Sequence, residues 1–146
     1  MYDRILLPTD GSDAAENAAS HAIDIASRYD ATIHAVYVID TSLGVSLNTG
    51  EPLRSKLEQE GDAAISRIEE LVTEAGLEFT GEKREGNPHE AILEATREWD
   101  VDLVVMGTHG RTGLDRYLLG SVTERVARLS DVPVVIVPRP DEAAEE

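Results

Sequence analysis

Apolar residues fall along this chain in two alternating rhythms, short unbroken runs and longer stretches with helical spacing. Residues 4–8 form a brief apolar run that stops at Pro8, and residues 31–39 form a longer one. In residues 102–106, Leu103, Val104, Val105 and Met106 follow one another without polar alternation. Such runs suit strands of a parallel sheet covered on both faces. Residues 133–137, Pro-Val-Val-Ile-Val, are a last strand of the same kind. Residues 78–85 differ, because charge dominates and Phe79 is the one large apolar side chain, which fits a strand at a sheet edge.

The intervening stretches carry helical periodicity. Ala15, Ala18, Ala19, Ala22, Ile23 and Ala26 predict a helix with a small-residue face that packs closely on the sheet, and Asp13 with Glu16 reads as its capping box. Leu53, Leu57, Ala64, Ile65, Ile68, Leu71, Val72 and Ala75 predict the longest helix, ending at Gly76. Asn87-Pro88-His89-Glu90 starts a third helix, with proline at its first position and Ile92, Ala95 and Trp99 on its apolar side. Ser121 with Glu124 reads as the capping box of a fourth, whose apolar face is Val122, Val126 and Leu129. Residues 41–50 have loop composition and are expected to form a mobile connection across a ligand. Residues 139–146 are expected to be a disordered acidic tail.

The resulting order, β-α-β-α-β-α-β-α-β, predicts one domain over residues 1–138: a doubly wound α/β fold with an open parallel five-stranded sheet, helices on both faces and right-handed crossovers. Ligands of such sheets sit beyond the carboxyl ends of the strands, at the switch point in strand order. Asp10, Val38 and Gly107 all fall at such ends. After the strand at 102–106 the chain passes through Gly107, Gly110 and Gly113 before resuming at Gly120-Ser121. Glycines that adopt positive φ and leave amides bare, followed by the positive end of a helix, make an anion site.

The common phosphate motifs G-x-x-x-x-G-K-[ST] and G-x-G-x-x-G are both absent. What stands here is Gly107-x2-Gly110-x9-Gly120-Ser121. With an opening strand ending in Pro8-Thr9-Asp10-Gly11-Ser12, a second ending in Val36-Tyr37-Val38-Ile39-Asp40 and the closing strand at 132–137, it resembles the universal stress protein family, in particular its ATP-binding members. The resemblance covers the chain to about Pro138 and implies a three-layer adenine-nucleotide-binding sandwich. It also implies a site for ATP. The phosphates would lie on Gly107, Thr108, His109, Gly110, Arg111, Thr112 and Gly113 and on the helix start Gly120, Ser121, Val122 and Thr123. Pro8, Thr9, Asp10 and Met106 would surround the site, with Val38 beside the adenine. A Mg²⁺ accompanying the nucleotide would be held mainly by the phosphates, near Asp10. The resemblance further implies a homodimer through the edge strand Pro133, Val134, Val135, Ile136 and Val137, with Val135 supplying a backbone donor to the shared ladder.

Several of these residues also have purely structural readings. Asp10 suits an Asx turn before the first helix, and Ser121 and Thr123 bond phosphate only if their hydroxyls are not consumed at the cap. His109 is read as a loop residue near the triphosphate and not as a general base. His21, His34 and His89 lie on a helix, a strand and a cap without ligand spacing, so a structural metal is not expected. No G-x-S-x-G occurs to support a hydrolytic triad.

Composition narrows the partners. The 146 residues contain no cysteine, which excludes disulfide and thiol chemistry. Asp10 and the other acidic residues total 29 against 13 Lys and Arg, a formal net charge of −16. Such a field repels nucleic acid and anionic membranes, so neither is an expected partner. It also repels ATP, unless positive charge gathers locally or salt screens the field. Arg111, Arg116, Arg125 and Arg128 near the glycine segment meet the first condition. The acidic, lysine-poor surface fits either adaptation to a salty cytoplasm or ordinary solubility. No export signal or membrane-length apolar run is present, so a cytoplasmic location is expected. Three functions follow: an ATP-dependent binding module, a slow ATPase with Asp10 and His109 as candidate water-orienting groups, or a nucleotide-free interaction protein retaining the fold.

Overall fold

The computed structural model describes residues 1–41, 50–108 and 119–139, with no side-chain description for 50–52. Of the connection predicted at 41–50, residues 42–49 lie outside the described residues and Gly50 is instead the first residue of a helix; the glycine-loop residues His109, Gly110, Arg111, Thr112 and Gly113 and the tail from 140 onward also lie outside them. The elements are β1 (Arg4–Pro8), α1 (Asp13–Tyr29), β2 (Thr32–Asp40), α2 (Gly50–Glu74), β3 (Phe79–Gly86), α3 (Pro88–Glu98), β4 (Leu103–Gly107), α4 (Ser121–Leu129) and β5 (Val134–Val137). All strands are parallel, in the order β3-β2-β1-β4-β5. The order reverses between β1 and β4, which makes the carboxyl ends of those two strands the switch point.

Two apolar layers hold the helices to the sheet. On one face the alanine stripe of α1, Ala18, Ala19, Ala22 and Ala26, packs with Ile68 and Val72 of α2 against Ile5, Leu7, Ile33 and Val105. On the other, Ile92, Leu93 and Ala95 of α3 and Val126 of α4 cover Leu6, Val36, Val104 and Met106. Burying each large aliphatic side chain contributes about 1.5–3 kcal/mol, so these layers dominate the stability of the domain. Gly76 has φ +77, the left-handed conformation that lets the chain leave α2 without strain.

Three local readings are corrected. Helix α1 is capped by Ser12, one residue before the expected box: its side chain accepts from the Ala15 amide, and Asp13 is already helical. Helix α4 has Gly120 at its N-cap with no side-chain cap bond, so Ser121 lies inside the first turn and does not cap it. Leu129 is 44% exposed and Trp99 38% exposed, so neither completes the apolar face assigned to its helix.

Strand β3 lies at one edge of the sheet, as its charge pattern indicated, and the β-branched β5 at the other, as the resemblance implied. Hydrogen bonding within β5 corrects the expected role of Val135. The carbonyls of Pro133 and Val137 accept from Val104 and Thr108, on the inner side. With a strand period of two, Val135 also turns its backbone groups toward β4, and the outward groups belong to Val134 and Ile136.

Candidate functional site

The site is assembled where β1, β4, α1 and α4 meet. After Pro8 the buried Thr9 donates its amide to the Val36 carbonyl at 2.9 Å, which fixes the end of β1 against β2. The Thr9 hydroxyl accepts from Gly11 N at 3.1 Å, and Asp10 Oδ1 accepts from Ser12 N at 2.9 Å. Asp10 therefore forms the Asx turn that its position suggested, and half-buried in that turn it offers its remaining carboxylate oxygen at the end of β1. Val38 is half-buried, on the sheet face shared with Val122 of α4.

On the β4 side, Met106 is buried and Gly107 closes the strand. Gly107 does not have the positive φ expected of it. A different constraint applies: a Cβ there would lie 3.0 Å from Ala14 Cβ and 3.2 Å from that residue's backbone C and O. The glycine lets the first turn of α1 approach β4, which brings the Asp10 turn next to the Thr108 end of the strand. Thr108 N donates to Val137 O at 3.1 Å, and its carbonyl accepts from Gly120 N at 2.8 Å. The chain thus leaves the site at Thr108 and returns to the same point at Gly120.

Thr123 is buried and donates its hydroxyl hydrogen to Gly107 O at 2.9 Å, fastening α4 to the end of β4. Its hydrogen is committed to the protein, so the hydroxyl holds the helix in place. Thr123→Val keeps the shape and removes the donor. The expected loss is about 1 kcal/mol, read as a lower denaturant midpoint with an unchanged m-value, and an unchanged midpoint would show that the bond is idle.

Both α1 and α4 begin at this junction, but they are capped differently. Ser12 satisfies one amide of α1, and Asp13 and Glu16 place carboxylates in its first turn. Helix α4 also carries a carboxylate in its first turn, Glu124, but it has no side-chain cap, which leaves the first-turn amides around Ser121 and Val122 without a capping side chain at the positive end of the dipole. Of the arginines expected to concentrate positive charge, Arg111 and Arg116 lie outside the described residues. Arg128 is bound to Glu124 at 2.9 Å in the last turn, away from the N-terminus, and is removed from that role.

A second polar cluster escaped the spacing argument, because it depends on strand register. His34 is 3% exposed and opposite Thr80, one step from Glu82 across the β2–β3 ladder. Its Nδ1 contacts the Thr80 hydroxyl and its Nε2 lies 2.8 Å from Glu82 Oε2. Glu82 also accepts from Trp99 Nε1 at 2.6 Å and from Arg84. Arg84 in turn grips Glu98 through both terminal nitrogens, at 3.0 and 3.1 Å. Burial would raise the Glu82 pKa, but the bonds from Arg84, His34 and Trp99 outweigh it and hold the carboxylate below its usual range. Burial lowers the pKa of His34 beneath 6.5, with Glu82 pulling upward and Arg84 downward. This cluster borders a cavity of about 250 Å³ at the amino ends of the strands, opposite the switch point.

Comparison with known proteins agrees with the architecture. The family model described as the universal stress protein family matches residues 1–138. The universal stress protein MJ0531 of Methanocaldococcus jannaschii is 42% identical over 143 residues, covering 96% of this chain and 84% of that protein. The solved structure of MJ0577, from the same organism, superposes with a TM-score of 0.85 at 35% identity, over 95% of this chain and 97% of that one. A universal stress protein solved in complex with cAMP superposes with a TM-score of 0.70 at 27% identity, over 94% and 98%. The five-stranded parallel sheet, the switch-point junction and a match over residues 1–138 together place this chain in the universal stress protein family.

Proposed function

We propose that the protein is a nucleotide-dependent binding module that holds ATP at the β1–β4 switch point. The observation that carries this reading is the α4 N-terminus, which has no side-chain cap and is tied by Gly120 N and the Thr123 hydroxyl to the carboxyl end of β4. Anionic phosphates satisfy such amides, and the relative solved with cAMP is a nucleotide-bound member of the same family. In this reading the triphosphate follows the 107–113 glycine segment to Ser121, and the adenine lies beside Val38. Among the described residues no group of three or more His, Asp or Glu side chains can hold a metal ion. A Mg²⁺ bound with ATP would therefore rest on the phosphates with Asp10 as the neighbouring carboxylate, where it would neutralise phosphate charge.

Gly110→Val is the direct test, because a branched side chain crowds phosphates drawn close to the backbone. Calorimetry is expected to show ATP binding by the parent and at least tenfold weaker binding, about 1.4 kcal/mol, by a folded Gly110→Val protein. Equal affinity would move the nucleotide elsewhere. The same preparations should release phosphate far below about 10 per second, the median for enzymes. Brisk release abolished by Asp10→Asn or His109→Ala would instead establish the ATPase.

We further propose that two copies pair through β5. Val134, Val135 and Ile136 are half-buried in the isolated chain, and the outward backbone of an edge strand is otherwise exposed.

A further inference from the structure

We propose that His34 is a proton-operated latch on the β3 edge of the sheet: neutral, it holds β3 and the Trp99 end of α3 against β2, and at mildly acidic pH proton uptake favours opening of that edge. The latch is distinct from the proposed nucleotide site: it lies at the amino ends of the strands, between β2 and the edge strand β3. The imidazole is held by two elements besides its own strand, with Thr80 and Glu82 on β3, and Trp99 at the end of α3 stacked at a ring-centroid distance of 3.8 Å and an interplanar angle of 31°. An ionised Glu82 can only accept, so in the neutral ring Nε2 carries the hydrogen and Nδ1 accepts from the Thr80 hydroxyl. One uncharged ring thus links β2, β3 and, through Glu82, the indole N–H.

A second proton disturbs this arrangement. It would make Nδ1 a donor to Thr80, whose hydroxyl must then rotate its own hydrogen elsewhere, and it would place a cation at 3% exposure. Two neighbours favour the imidazolium, the Glu82 carboxylate and the indole face. Burial is the largest influence and opposes the cation; the hydrogen bond and charge of Glu82 come next and favour it without offsetting burial, and Arg84, itself gripped by Glu98, adds a smaller opposition. The remaining charges are more distant: Glu94 and Glu98 of α3 engage Arg84, Arg4 of β1 sits near Asp100 at the cavity mouth, and Glu78 bonds the Thr32 hydroxyl. The cavity beside His34 and Thr80 gives the proton a route inward.

The sign follows from linkage. A base whose pKa is lower in the closed form than in an open form contributes its full stability above about 6.5. That contribution is lost as pH falls from 6.5 toward the pKa of the closed form. Acid therefore favours whatever opening exposes His34, and the nearest is the peeling of edge strand β3 with the end of α3.

The test uses the whole chain. NMR titration of the His34 ring should give a pKa below 6.5, and a value at or above 6.5 overturns the latch. Amide exchange, corrected for intrinsic rates, should accelerate severalfold between pH 7.5 and 5 across β3 and the end of α3, with β1 and β4 little changed. In His34→Gln the acceleration should vanish. Uniform acceleration across all strands, or the same local acceleration in His34→Gln, overturns the proposal. Should that variant fail to fold, the wild-type ring titration and site-resolved exchange decide alone.

Discussion

Gly107→Val is expected to destabilise the protein by about 1–3 kcal/mol, the usual cost of forcing extra atoms into a packed interior, and to lower nucleotide affinity with it. The reason is a steric one on the α1 side. The first added carbon already meets Ala14 Cβ at 3.0 Å and its backbone at 3.2 Å, and backbone atoms in the first turn of a helix cannot swing aside as a side-chain tip can. The helix must move as a unit. Its N-terminus carries the Ser12 cap and the Asp10 turn, so the displacement would open the junction between β1 and β4 where the proposed nucleotide site lies. Gly107→Ala should show the same pattern in smaller measure. Chemical denaturation gives the stability change and calorimetry the affinity. A Val variant as stable as the parent would mean that α1 does not press on β4 as described.

That glycine illustrates what could and could not be read along the chain. Its place in Gly107-x2-Gly110-x9-Gly120-Ser121 is visible in one dimension, but its contact with Ala14 joins residues far apart in sequence and becomes visible only when α1 lies on β4. The strands and helices were legible because core burial imposes period on the sequence: the alanine stripe of α1 and the run Leu103, Val104, Val105, Met106 are buried as their spacing predicts. Boundaries moved by about a residue because neighbouring side chains compete for the same amide. Ser12 and Asp13 can both cap, and the backbone geometry selected Ser12. The polar cluster around His34 was illegible for a stronger reason. Thr80, Glu82 and Arg84 alternate along β3 as solvent-facing residues of an edge strand would, and only the register with β2 reveals that this side faces His34 and Trp99. The segment at 109–113 was read from its glycines and from family resemblance, and it lies outside the described residues.

Ile136→Pro is expected to abolish dimerisation while leaving the subunit folded. The prediction rests on which way each residue of β5 points its backbone. Pro133 and Val137 accept hydrogen bonds from β4, and by strand alternation Val135 faces inward with them. The amides of Val134 and Ile136 face outward, where the same strand of a second copy could pair with them antiparallel about a two-fold axis. Proline at 136 removes one outward donor, which an edge strand tolerates in its own sheet but a shared ladder does not. Val135→Pro makes the contrasting variant: it removes an inward donor and should lower the stability of the subunit itself. Ionic strength separates association from folding further, because two copies of formal net charge −16 repel one another. Screening shortens from about 10 Å at 0.1 M salt to about 3 Å at 1 M, so light scattering should show the parent shifting toward dimer along a salt series and Ile136→Pro remaining monomeric throughout. The apolar contacts of Val134 and Ile136 would then be gained only where the charges permit approach. A parent monomeric at every salt concentration, or a dimer indifferent to Ile136→Pro, would assign the outward edge of β5 to solvent.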